Sequence, residues 1–200
     1  MKINIIFFLM NMFSGMGFSI LSPLFPSLGI KNGLPENSIG LIIGIFALSS
    51  TCIAPFVPSL IKKFTRINLL YISTFFGATT ILLYSTIYFI NSYYGILIIM
   101  LIIRIIHGCC SGIIGTLIYS LTISLSKSSE VKKELGYLEI GWCIGIIVGP
   151  LFASIFYKLG GYPLPFLVLG IILYISVFLT SKVANENTEL ILRWKMNLNF

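Results

Sequence analysis

Residues 136–150 read Gly-Tyr-Leu-Glu-Ile-Gly-Trp-Cys-Ile-Gly-Ile-Ile-Val-Gly-Pro. This stretch holds the one carboxylate that falls inside an apolar segment, Glu139, and glycines at positions 141, 145 and 149. On a helix, positions four apart share a face, so Gly141, Gly145 and Gly149, continued by Ala153, form a smooth stripe. Such a stripe lets a neighbouring backbone come close, which is how helices associate in lipid. At ~100° per residue, Glu139 lies about 200° round from Gly141. One face packs and the other is polar, which points to a pathway through a membrane rather than a bare anchor.

The composition agrees with that setting. The chain has 200 residues, 57% of them hydrophobic and 10% charged, where a soluble domain carries about a quarter charged. A net charge of +7 would suit nucleic acid if it formed a soluble patch. Here the basic residues sit at the ends of apolar runs, where the positive-inside rule accounts for them, so no nucleic-acid partner is expected. Cys52, Cys109, Cys110 and Cys143 all lie within apolar runs and lack metal-binding spacing, so no disulfide framework or metal is expected. Lys2 precedes more than 20 mostly apolar residues, too long for a signal-peptide core, which predicts a retained helix.

A bilayer core takes ~20 apolar residues per helix. On that scale the sequence predicts an all-α polytopic membrane protein with six helices, about 4–26, 36–60, 68–90, 95–124, 136–157 and 164–182. The bundle is expected over 1–183 and a short polar tail over 184–200. The N-terminus, second and fourth connectors and tail hold ten lysines and arginines, the remaining connectors two. Both termini are therefore expected in the cytoplasm, whether the membrane is vesicular, vacuolar or plasma. The run Ile39-Gly40-x-x-Ile-Gly44-Ile recurs as Ile140-Gly141-x-x-Ile-Gly145-Ile. That spacing matches two three-helix units of an inverted repeat.

Arg104-Ile-Ile-His107-Gly108 lies within the fourth run, Arg104 nine residues in from Gly95, or ~14 Å along a helix. A cation at that depth costs about 2.5–3.5 kcal/mol on insertion scales. Arg104 either ties helices together through carbonyls or Glu139, or takes part in a pathway. His107 and Ser111 follow on the same face, His107 as a neutral core histidine or as a tuning group. Glu139 enters one turn from its helix end, and is either a carboxylate reaching interfacial water or a proton and cation site. Burial makes a carboxyl hold its proton and a guanidinium makes it let go. Proton-coupled carriers exploit that competition. Gly108-Cys-Cys-Ser111-Gly112 could place a serine nucleophile near His107, but Ser111 falls in mid-helix with no oxyanion donors to spare, so an enzyme is not expected. Phosphate-loop and carbonyl-filter motifs are absent from the sequence.

These residues resemble the major facilitator superfamily. Arg104-x-x-His107-Gly108 resembles its fourth-helix motif, and Gly145-x-x-x-Gly149-Pro150 its fifth-helix antiporter motif, with Ala153 and Ser154 where paired glycines are usual. Pro23-Leu-Phe-Pro26, Leu138-Glu139 and Gly161-Tyr162-Pro163-Leu-Pro165-Phe166 are similar to the vesicular amine transporter family, closest to its polyamine-transporter-like branch. The resemblance implies proton-coupled antiport of an organic cation, with the proton as coupling ion and no other cofactor. It implies a pathway through Glu139, Arg104, His107 and Ser111. Three departures stand out. The loop 58–66 lacks the acid of the family's gate motif. Ser14 stands where amine-binding members carry an acid. The chain also spans one six-helix half of a twelve-helix family, so a second half or a second copy is the expected partner beside lipid and the cation. The alternative is a shortened, transport-inactive half that only associates with other membrane proteins.

Overall fold

In a computed structural model the protein is described over residues 3–186, with side chains from 5 to 178; Lys2 and the expected tail from 187 onward lie outside the described residues. The described residues are helical throughout, joined by short turns. Helices α1 (Ile3–Ser19) and α2 (Leu21–Lys31) make the first rod. Helix α3 (Glu36–Ile53), a 3-10 turn at Ala54–Phe56 and α4 (Val57–Lys63) make the second. Helix α5 (Arg66–Tyr84) with its 3-10 end Ser85–Phe89 is the third, followed by α6 (Tyr93–Leu125), α7 (Val131–Gly160) and α8 (Pro163–Glu186). Five rods are long and apolar enough to cross a membrane, and the sixth carries the apolar run Pro163–Phe178. The chain is an all-α, multi-pass integral membrane protein.

Prolines set the breaks inside the rods. Pro23 has no N–H for the Ser19 carbonyl, and α1 gives way to α2 at Ile20. The first rod does not stop at 26, as its prolines suggest, because Pro26 sits inside α2 and the helix continues to Lys31. It ends where Gly33 takes φ 79° and the Leu34 N–H reaches back to the Gly29 carbonyl at 2.9 Å, a left-handed cap that suits glycine. In the second rod Pro55 and Pro58 tighten the helix into the 3-10 turn.

Helix α1 packs against α7, α3 against α6, and α5 against α8 and α6. With rods one to three related to rods four to six, the α1–α7 pair maps onto α3–α6 and α5–α8 onto itself. That is the symmetry of an inverted repeat, while α5–α6 is packed more closely than its counterpart α1–α8. The glycines make the close pairs possible. A Cβ on Gly145 would overlap the Met12 carbonyl, and one on Gly149 the Ser19 hydroxyl. In the other pair, a Cβ on Gly108 or Gly112 would fall 2.5 Å from the Phe46 or Ser50 carbonyl of α3. Gly40 and Gly44, which repeat the α7 motif in sequence, face open space instead. The repeat is thus one of architecture, not of glycine contacts.

Two apolar cores result. One gathers Leu24, Phe25, Ile81, Tyr84, Met100 and Phe166 around α2, α5, α6 and α8. The other gathers Phe7, Met10, Leu70, Leu117 and Leu138 nearer the start of α1. At the α7–α8 turn Tyr162 is buried beside Phe166 and Tyr84, and burial, with Tyr84 adding to it, pushes its phenol above the usual pKa.

Candidate functional site

An open cavity of about 1080 Å³ lies between α1, α3, α6 and α7. Glu139 is the sole acid and Arg66 the sole base among the described residues that line it. The Tyr119 hydroxyl, from α6, donates to Glu139 Oε1 at 2.8 Å. Asn11, buried on α1, donates from Nδ2 to the Leu138 carbonyl at 2.7 Å and more loosely to Tyr119 Oη at 3.5 Å. Three helices therefore fix one carboxylate, and the carboxylate itself stays exposed. One turn along α7, Trp142 lines the same cavity and stacks on Phe18 with ring centroids 5.9 Å apart. Toward the start of α5, Arg66 Nη1 donates to Ser124 Oγ at 3.2 Å. A carboxylate beside an indole face provides the two elements that attract an organic cation.

Arg104 is not in this cavity. It is 1% exposed and turns to α3, donating from Nε to the Ile42 carbonyl and from Nη2 to the Ile43 carbonyl, each at 3.2 Å. Its guanidinium carbon lies 4.7 Å from the Phe46 ring centroid. Charge-assisted hydrogen bonds are worth about 1.5–3 kcal/mol each, so two of them offset an insertion cost of about 2.5–3.5 kcal/mol. Nη1 has no partner among the described residues. His107, one turn on, is buried with Nδ1 2.9 Å from the Tyr84 hydroxyl and its ring edge-on to Phe46.

The sequence-selected residues thus divide. Glu139 and Ser111 line the cavity, whereas Arg104 and His107 lie behind it in the α3–α5–α6 core. Arg104 and Glu139 are not brought together. His107 is engaged by Tyr84 rather than by Ser111. Gly108 and Gly112 sit at the α3–α6 contact, Gly141, Gly145 and Gly149 at the α1–α7 contact, and Pro150 inside α7. Among the described residues no three His, Cys, Asp or Glu side chains cluster as metal ligands. Sequence reasoning passed over Asn11, Tyr119, Trp142 and Arg66. Asn11 carried a signal, being a carboxamide amid an otherwise apolar run, which in lipid must find a partner. Tyr119, 20 residues before Glu139 in another helix, carried none.

Residues 7–190 match the model of the Major Facilitator Superfamily. The chain is similar to the MFS-type transporter SLC18B1 of Rattus norvegicus, 27% identical over 182 residues, covering 84% of this chain and 37% of the relative. The human protein of the same name is 28% identical over 171 residues, covering 84% of this chain and 36% of the relative. The quinolone resistance protein NorA of Staphylococcus aureus strain Mu50 is 25% identical over 135 residues, covering 68% and 33%. The chain spans about a third of the length of the curated relatives it matches.

Proposed function

The chain belongs to the major facilitator superfamily, and on that premise we propose that its cavity forms one wall of a secondary carrier exchanging protons for an organic cation of the amine or polyamine kind. The observation that carries this reading is Glu139, a lone carboxylate presented into a wide cavity and held there by Tyr119. A fixed, exposed carboxylate can take a proton or a cation in turn, which is the exchange an antiporter requires. Trp142 offers its ring to the apolar part of the cation. Arg104 and His107 act from behind, by holding α6 against α3 and α5, and Ser111 lies on the wall between them and the cavity. No cofactor other than the proton takes part.

The cavity is open on one side, so a second six-helix bundle or a second copy of the chain is the partner that completes it. The lysine and arginine bias places both termini in the cytoplasm. Proteoliposomes holding the chain together with a second bundle, under an imposed pH gradient and with labelled polyamine, test the reading. Uptake is expected, and Glu139→Gln is expected to abolish it. Uptake that survives Glu139→Gln would defeat the role given to this carboxylate. A lack of uptake in every combination would favour a half-bundle that only associates with other membrane proteins.

A further inference from the structure

Between the two apolar cores lies a second, much smaller space of about 30 Å³. Met10 and Ile114 of one core border it on one side, Ala78 and Leu173 beside the other core on the opposite side. Between the cores, polar side chains interrupt the apolar packing: Ser14 from α1, Thr74 from α5, His107 and Ser111 from α6 and Ser176 from α8 line the chamber among apolar neighbours. A void holds a water when it offers at least roughly 10–15 Å³ and two to four polar partners, a water's share of the liquid being about 30 Å³, and stays dry when its walls are apolar. This chamber, at about 30 Å³, has room for about one water at liquid density and at most about two, and five polar side chains on its wall.

Its position gives it a role. Ser14 and Ser111 line both the chamber and the large cavity, and each is half-buried. His107 Nδ1 is taken by Tyr84. Its Nε2 faces Gly17, 3.5 Å from where a Cβ on that glycine would stand, so the missing side chain of Gly17 is what leaves this nitrogen room. We infer that the chamber is a buried water site, and that its water joins His107 Nε2 through the Ser14 and Ser111 hydroxyls to the cavity that holds Glu139. His107 is then the solvent-connected group of the buried core, whereas Arg104 next to it is sealed by α3. The inference stands on the chamber and its lining and does not depend on the chain carrying any substrate.

His107 is the chain's single histidine, so one ring reports the answer. The full chain, labelled with ¹⁵N-histidine and held in lipid bilayers, is examined by solid-state NMR for magnetisation transfer from water to Nε2 and for exchange of the ring proton in D₂O. Transfer is expected, with ring exchange faster than that of the backbone amides of α6 around it. Replacing both hydroxyls, Ser14→Ala with Ser111→Ala, is expected to slow exchange by about tenfold, which corresponds to about 1.4 kcal/mol on the barrier. The Nδ1 signal of the Tyr84 bond should stay in place, showing that the fold is kept. Gly17→Ala, which narrows the chamber from the other side, should slow exchange without touching either serine. A dry Nε2 in the unaltered chain would overturn the inference. So would exchange that none of these substitutions changes.

Discussion

Arg104 shows how a buried charge is tolerated in this bundle. Its planar fork reaches two successive carbonyls of α3 while its face rests on Phe46. A lysine keeps the charge but is a single point with a different reach, so it forfeits one carbonyl and the stacked plane. A methionine removes the charge and its insertion cost together, and the α3 carbonyls retain their own helical donors. Arg104→Lys is therefore expected to destabilise the bundle by about 2 kcal/mol, and Arg104→Met by less than about 1 kcal/mol, since breaking one side of a charge's compensation costs more than removing the charge. Thermal unfolding in detergent micelles checks the order of the two variants, and the reverse order would show that Arg104 is chiefly a clamp. A second expectation concerns Tyr119, whose hydroxyl bonds Glu139 where the carboxylate is exposed. Tyr119→Phe should leave stability within about 1 kcal/mol, the scale of one such bond, and, on the function proposed above, should lower the affinity for a cation, read as a raised half-saturation concentration. Both Arg104 and Glu139 were legible in the sequence as charges in apolar runs. Their separation was not, because depth along two helices says nothing of which way each helix is turned.

At the scale of helices, close approach is concentrated where glycine faces backbone. A methyl group at Gly145 meets the Met12 carbonyl and the Gly15 Cα at once, and backbone cannot rotate aside as a side chain does. Gly145→Ala is expected to cost about 1–3 kcal/mol, the usual range for overpacking. Gly44→Ala, at the matching place in the repeated motif, meets nothing and should be neutral or gain up to about 1 kcal/mol from helix propensity. Equal losses at both sites, measured by denaturant unfolding, would mean that α3 is packed as tightly as α7. The succession of long apolar rods could be read from hydropathy alone, since each must match a bilayer, but their ends could not: α7 starts at Val131 rather than 136, its polar first turn being helical too. The internal breaks at Ile20 and Ala54–Phe56 follow from Pro23, Pro55 and Pro58. The extension to Lys31 was masked by Pro26, although Asn32-Gly33 marked the end. The glycine repeat was legible as a pattern and misleading as a contact, because one motif finds a partner helix and the other does not.

For the whole molecule the decisive feature is a polar wall open on one side. Glu139, Arg66, Ser50 and Thr116 line a cavity bordered by α3 and α7, which among the five long rods belong to the two with the smallest share of residues buried inside the bundle. Acyl chains cannot solvate such groups, and an unsatisfied one in hydrocarbon costs several kcal/mol. On the function proposed above, the open side faces water enclosed by protein, with a partner lying over α3 and α7. Leu48 and Ile147, exposed on those helices, would form the apolar rim of such a contact, and Cys52 and Cys143 are also exposed there. In bilayers holding this chain alone, the partner available is a second copy. Oxidative cross-linking is then expected to give a covalent dimer that disappears when Cys52 and Cys143 are both changed to serine. It should persist after Cys110→Ser, because that thiol is buried within one bundle. Supplying a separate six-helix bundle should compete with the dimer if both use the same face. A chain that stays monomeric and un-cross-linked in lipid, with its cavity still hydrated, would show that water alone can cover the wall, and the proposal of a partner would fall with it.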